Sequence, residues 1–301
     1  MDNQYIYNNP QYQGMSIDSN NQGYQNMPLN NDMTNQPYVD ISNDINNNKQ
    51  VSTSIFNHYG VIDRGVVPTL NEDNMDGFLL LNDSVLCLCV ADGLGSVHGG
   101  HISSVIAIKE LQRYLQDFLI SDEPENMKYV LYNGLYMINR IMHNFQRINP
   151  QLYGSFTSTI TVVLINQNKT MVVGHIGNSR LYLLRDGNIY QLTDDDTIPY
   201  PLLKENKMTL EEYRVHPDRN KLTRFLGDID FKAYVEIGNV SKNDLLLLCT
   251  NGIYEMLTDE QIKEIVYETG NSKDACESLI MNANNMGGID NMGVIMTFID
   301  F

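Results

Sequence analysis

From about Val51 onward, apolar runs with strand character follow one another at short intervals. They fall at residues 54–62, 84–91, 158–165, 170–176, 180–184, 233–237, 244–250 and 293–299. Turn-forming residues separate several of them, at Asn82-Asp83, Asn166-Gln167-Asn168 and Asp186-Gly187. Two stretches change to helical spacing. Ile108, Leu111, Leu115 and Phe118 form one apolar stripe, and Leu131, Leu135, Ile138, Met142 and Phe145 form another. Two further helices are expected after residue 250. Thr258 with Gln261 three residues on makes a capping box, and Leu257 and Ile262 can close a hydrophobic staple around it. The second places Cys276, Leu279 and Ala283 on one face. The order is strands, two helices, many strands, two helices and a final strand. Short turns between strands imply antiparallel pairing. The expected class is α+β, an antiparallel β-sandwich flanked by pairs of helices, in which every apolar face is covered.

Residues 1–50 follow a different pattern. They hold 13 Asn, 7 Gln, 5 Tyr and a single basic residue, Lys49. Such a tract cannot bury enough apolar surface to offset its ordering entropy, so a disordered tail is expected there. The tail is either a passive extension or a self-associating, localising segment. The rest, 51–301, reads as one globular domain, and a chain 42% hydrophobic can fill its core.

A net charge of −17 excludes a surface that attracts nucleic acid or anionic membrane. No apolar run is long enough to span a bilayer, and the polar N-terminus lacks a signal-peptide core. Cys87, Cys89, Cys249 and Cys276 sit in apolar runs or on a helix face, without zinc-site spacing. Buried, reduced thiols in a cytoplasmic protein are expected.

Acidic residues stand where buried runs end. VLCLCVA leads into Asp92-Gly93, LLLLCT into Asn251-Gly252, Asp290 opens the last strand, and Glu72-Asp73 follow the first. Carboxylates brought together from such places repel unless a cation joins them, and oxygen-only ligands suit Mg²⁺ or Mn²⁺. Glycine after Asp92 allows a backbone carbonyl to approach an ion closely.

The stretches GVIDRGVVPTLNEDN, VADGLGS, HIGNSRLYLLRDGNIYQLTDDDT, LTRFLGD, LLLLCTNGIYEMLTDEQI and IDNMGVI resemble, in order and spacing, those of bacterial protein phosphatase 2C-like enzymes. The resemblance covers residues 59–301. It implies a metal-dependent protein serine/threonine phosphatase that hydrolyses phosphoserine and phosphothreonine with a water held by two Mn²⁺ or Mg²⁺ ions. It implies Glu72, Asp73, Asp92, Gly93, Asn251 and Asp290 as the metal site, and Asp92 and Asp73 as catalytic. It also implies a phosphorylated protein substrate and a cognate Ser/Thr kinase as partners.

The chain departs from the family pattern in four places. Asn251 and Asn178 stand where Asp is usual, which weakens one ion and leaves a third site doubtful, with Glu255 nearby as an acidic ligand. Pro68 replaces a phosphate-gripping Arg. Arg64 on the same segment either supplies that grip or is a surface charge. In the loop LGSVHGG, His98 is either a proton donor to the leaving group or a solvent-exposed histidine. His175, within a buried run, is expected to be structural. These changes leave two readings, a working phosphatase and an impaired relative that binds phosphoproteins without turnover.

Overall fold

The computed structural model describes residues 49–52, 56–95, 99–148 and 156–301. The strands are β1 (Lys49–Ser52), β2 (Asn57–Asp63), β3 (Asp73–Leu80), β4 (Val85–Leu94), β5 (Thr157–Ser158), β6 (Ile160–Asn166), β7 (Thr170–Ile176), β8 (Arg180–Arg185), β9 (Asn188–Gln191), β10 (Tyr234–Asn239), β11 (Leu245–Cys249) and β12 (Met292–Phe298). The helices are α1 (Gly100–Phe118), α2 (Pro124–Ile148), α3 (Tyr200–Lys204), α4 (Leu210–Arg214), α5 (Asn251–Met256), α6 (Asp259–Thr269) and α7 (Ser272–Asn285).

One sheet runs β1-β2-β12-β11-β8-β9 and the other β10-β7-β6-β4-β3, with β5 beside β4. Every pairing within them is antiparallel. Three apolar cores hold the layers together. Phe56, Met75, Leu86, Leu88, Val90, Leu181, Leu246, Leu248 and Ile295 fill the space between the sheets. Cys87, Cys89 and Ala91 turn the other way, onto Ile108, Leu111 and Leu115 of α1 and Leu131, Leu135 and Ile138 of α2. Leu245, Leu247 and Cys249 likewise meet Ile262, Cys276, Leu279 and Ala283 of α6 and α7. This explains the unbroken apolar runs. A strand covered on both faces has no polar positions to alternate with.

The expected helix-flanked sandwich is therefore the observed one. The Thr258 capping box forms, with Gln261 N–H donating to Thr258 and Thr258 N–H to the Gln261 side chain. All four cysteines are free and buried. Among the described residues, no helix is long and apolar enough to cross a membrane.

Several elements differ from the expectations. The run at 54–62 becomes a strand only over Asn57–Asp63, with 53–55 outside the described residues. β4 continues through Asp92 to Leu94, so Asp92 lies within a strand. Asp290 lies two residues before β12. β3 was hidden by its own polar residues, Asp73, Asn74 and Asp76. The short helices α3, α4 and α5 are too brief to show a helical period. The expected tail falls outside the described residues up to 48, and β1 opens at Lys49, inside its last two positions.

Candidate metal centre

β3 and β4 place Asp73 directly opposite Asp92 in their ladder. Alternation along β4 gives Asp92 the same face as Leu86, Leu88 and Val90, the face between the sheets, and Asp73 shares it with Met75. Two carboxylates thus cap one end of the inter-sheet core. The main chain at Asp92 is fixed from β5 and β6. Its N–H donates to Thr159 Oγ1 at 2.9 Å, and its carbonyl accepts from Ser158 Oγ at 3.0 Å and Thr159 N at 2.8 Å.

The start of α1 presses on this strand end. A Cβ on Gly93 would lie 1.8 Å from Gly100 O, so no other residue fits there without displacing the helix. A Cβ on Gly100 would lie 2.2 Å from Glu72 Oε1 and 2.5 Å from Gly93 O. The bare glycine therefore lets a carboxylate oxygen and a backbone carbonyl approach each other. Gly93 N–H in turn donates to Glu72 O at 3.1 Å.

The opposite sheet contributes the end of β11 and the approach to β12. Thr250 caps α5 by position, yet its hydroxyl bonds elsewhere, donating to Asp73 Oδ2 at 2.6 Å and accepting from Gly293 N at 2.8 Å. Gly252 permits α5 to meet the approach to β12, since a Cβ there would stand 2.0 Å from Asn291 O. Asn251 Nδ2 donates to Asp290 Oδ2 at 3.1 Å and to Glu255 Oε1 at 3.2 Å. Asn291 organises the neighbouring loop. Its Oδ1 accepts from Glu72 N at 2.9 Å, and its Nδ2 donates to Arg64 O at 2.7 Å and Leu70 O at 2.8 Å.

The electrostatics follow from this crowding. Burial pushes the Asp73 carboxyl up to about 8; Thr250 opposes this, and Asp290 and Glu72 add to it. Asp92 is raised well above the usual carboxylate range by burial, then by Asp73, Asp290, Glu72 and Glu255. Burial also raises Glu72, against the Gly100 backbone N–H, and raises Asp290, against Asn291 N–H. Among the described residues none of the four pairs with Lys or Arg within 4.0 Å. A fixed group of carboxylates sharing excess charge, with only oxygen donors around it, suits a hard divalent cation. The oxygens are spread along the strand ends, however. Among the described residues no three His, Cys, Asp or Glu side chains form a ready-made cage.

The structure thus brings Glu72, Asp73, Asp92, Gly93, Asn251 and Asp290 to one end of the sandwich. Arg64 follows the end of β2 in a loop and is exposed. Pro68 lies in the same loop. His98 lies outside the described residues. His175 is buried between Thr161 Oγ1 and Asp194 O, each at 2.9 Å, a structural role as expected. Asn178 is buried, and its carbonyl accepts from Tyr254 OH at 2.8 Å.

Sequence reading missed Thr250 and Asn291, which carry no charge, and the Arg180–Asp195 pair behind the centre. Arg180 Nε and Nη2 bind Asp195 at 2.8 and 2.7 Å, Tyr213 OH adds a bond at 2.7 Å, and the guanidinium lies 3.6 Å from the Tyr254 ring centroid.

Residues 67–284 match the model of the protein phosphatase 2C family. The chain is 30% identical over 236 residues to protein phosphatase PhpP of Streptococcus pneumoniae, covering 78% of this chain and 94% of that protein. Its fold superposes on the Mycobacterium tuberculosis serine/threonine phosphatase PstP/Ppp with a TM-score of 0.71 and 27% identity, over 82% of this chain and all of that one. The catalytic domain of PstP in complex with two manganese ions superposes with a TM-score of 0.70 and 26% identity, over 82% of this chain and 99% of that one.

Proposed function

The chain belongs to the protein phosphatase 2C family and is a protein serine/threonine phosphatase, and we propose that its active centre is the Asp73–Asp92 end of the sandwich, loaded with Mn²⁺ or Mg²⁺. One observation carries this assignment: four mutually repelling carboxylates, from two loops and two strands, share one site with no Lys or Arg within 4.0 Å of any of them among the described residues. Such a group holds together at neutral pH when a cation offsets its charge.

Glu72, Asp92 and the Gly93 carbonyl would hold one ion, and Asp92, Asn251 and Asp290 a second. When bound, the ions supply Lewis acidity that lowers the pKa of nearby water and offsets charge on phosphoryl oxygens. The remaining work falls to the chain. Thr250 fixes one Asp73 oxygen, and the Asp73 carboxylate would orient the attacking water and accept its proton. The frame of Ser158, Thr159 and Asn291 keeps these groups in place without reorganisation. No step requires a covalent phosphoenzyme. Arg64, from its exposed loop, would grip the substrate phosphate, and His98 would protonate the leaving hydroxyl.

The substrates are phosphoserine and phosphothreonine proteins, and a cognate Ser/Thr kinase in the cytoplasm is the expected counterpart. The reading of a phosphoprotein binder without turnover is not favoured by these relatives. Hydrolysis of a phosphothreonine peptide, measured in Mn²⁺, Mg²⁺ and EDTA, tests the assignment. Turnover should need the metal and fall by at least about 10²-fold in Asp92→Ala, the size expected when a main stabilising group is lost. Undiminished turnover in EDTA or in Asp92→Ala would place the centre elsewhere.

A further inference from the structure

A chain of side chains joins the β9–β10 connection to Asp290. Arg219 Nη2 donates to Glu255 Oε2 at 3.2 Å. The other Glu255 oxygen accepts from Asn251 Nδ2, and the same nitrogen donates to Asp290 Oδ2. The Glu255 side chain is only 7% exposed, so its charge is poorly solvated and depends on these partners. The connection is also strapped to α5 by Arg214, which donates to Tyr254 O at 2.8 Å and Glu255 O at 3.1 Å. Arg219 is therefore held in position by more than its own ion pair.

The orientation of Asn251 follows from chemistry. An amide set between two carboxylate oxygens faces them with its NH₂, because its oxygen would meet their lone pairs. The Asn251 oxygen, the only atom of that side chain able to coordinate a cation, is turned away from Asp290. The charges divide unevenly as well. Among the described residues Glu72, Asp73 and Asp92 have no Lys or Arg within 4.0 Å, whereas Glu255 pairs with the Arg219 guanidinium, whose charge also acts on Asp290, and Glu255 and Asp290 share the Asn251 amide.

We propose that Arg219, through Glu255, and the Asn251 amide, as donor to Glu255 and Asp290, form a built-in substitute for a cation, with Arg219 the counter-charge. This half of the centre is closed by the protein itself and takes a divalent ion only when the network opens and the Asn251 amide turns over. The inference rests on the metal-dependent reading above and adds an order of loading. The Glu72–Asp92 half fills first and tightly, while the Asn251–Asp290 half fills weakly. Arg219 is a positioning residue, linking the β9–β10 connection to the occupancy of the second half.

The test is Mn²⁺ binding to the full chain stripped with EDTA, counted by equilibrium dialysis and native mass spectrometry. Wild type is compared with Arg219→Gln, Asn251→Asp and Lys221→Gln. Lys221 lies on the same connection, pairs with Asp218 and is 65% exposed, so it controls for simple loss of a positive charge. Wild type should take one ion at least tenfold more tightly than a second. Arg219→Gln and Asn251→Asp should each tighten the second ion about tenfold, and Lys221→Gln less than twofold. Two ions of equal affinity in wild type, or an Arg219→Gln effect no larger than that of Lys221→Gln, would overturn the counter-charge. Folded protein that binds no ion in any variant would overturn the metal-dependent reading itself, and the counter-charge with it.

Discussion

Asn291→Ala should loosen the whole approach to the centre. Asn291 is 5% exposed and joins three points of one loop, the Arg64 and Leu70 carbonyls and the Glu72 N–H, to the start of β12. Each bond contributes about 1 kcal/mol net. Water can replace some of what is lost at the loop, so the expected cost is about 2–3 kcal/mol. With a urea m-value of about 2 kcal/mol per molar, the unfolding midpoint should fall by roughly 1 M. Activity should suffer more than stability under native conditions, because Glu72 loses the bond that fixes its backbone. A drop in kcat/KM of at least about tenfold is expected, since small misplacements of catalytic groups are costly. Asn291→Asp should not rescue it. It keeps the acceptor for Glu72 N–H but lacks both donors and sets another charge beside Asp290. Urea unfolding and phosphopeptide hydrolysis on the two variants decide the matter. A midpoint within about 0.2 M of wild type in Asn291→Ala, with full turnover, would show that the loop is held by other means.

Asp73→Asn should stabilise the EDTA-treated protein while abolishing turnover. A carboxyl raised to about 8 on folding contributes stability below its unfolded pKa and loses it as pH rises through 8. The amide has no such penalty and keeps the Thr250 bond. Thermal melting at pH 8 should therefore rise by roughly 5–10 °C relative to metal-free wild type, with the difference vanishing near pH 4. An unchanged difference across that range would refute the raised Asp73 carboxyl. Asp195→Ala should cost about 3 kcal/mol, because it leaves Arg180, with a side chain 4% exposed, with only the longer 3.8 Å approach to Asp259 to offset its buried charge. A urea midpoint equal to wild type would contradict that.

What the sequence disclosed and what it hid follow a physical line. Asp92 and Asn251 were legible because each ends an apolar run, and such runs mark strands covered on both faces. The sandwich was legible for the same reason. β3 was not, because a strand carrying Asp73, Asn74, Asp76 and Gly77 has no apolar period. Asp76 is 5% exposed and its carboxylate accepts from Gly77 N–H, a local bond that pattern reading cannot see. Asn291 and Arg219 were hidden more deeply. Their partners lie 219–227 and 36 residues away, and neither residue type signals its role. Charge type can be read along a chain, but which charge is already paired depends on the fold.

That pairing decides how the centre behaves. The carboxylates sit where the inter-sheet core ends, because inside it Leu86, Leu88, Val90, Leu246 and Leu248 leave no room for charge. At that boundary short polar side chains secure the backbone. Thr159 and Ser158 hold Asp92, Thr250 joins Asp73 to Gly293, and Asn291 holds Glu72. A frame fixed by such bonds does not relax to spread its charges apart, so the repulsion among Glu72, Asp73 and Asp92 is relieved only by protons, as the raised Asp73 and Asp92 carboxyls show, or by a cation. On the other side, Asn251 supplies a donor where a carboxylate would add charge, and Arg219 offsets Glu255. The same fold thus keeps one half of its centre under electrostatic tension and relieves the other. A single amide at position 251 sets that asymmetry, because a carboxylate there would join the repulsion instead of quenching it.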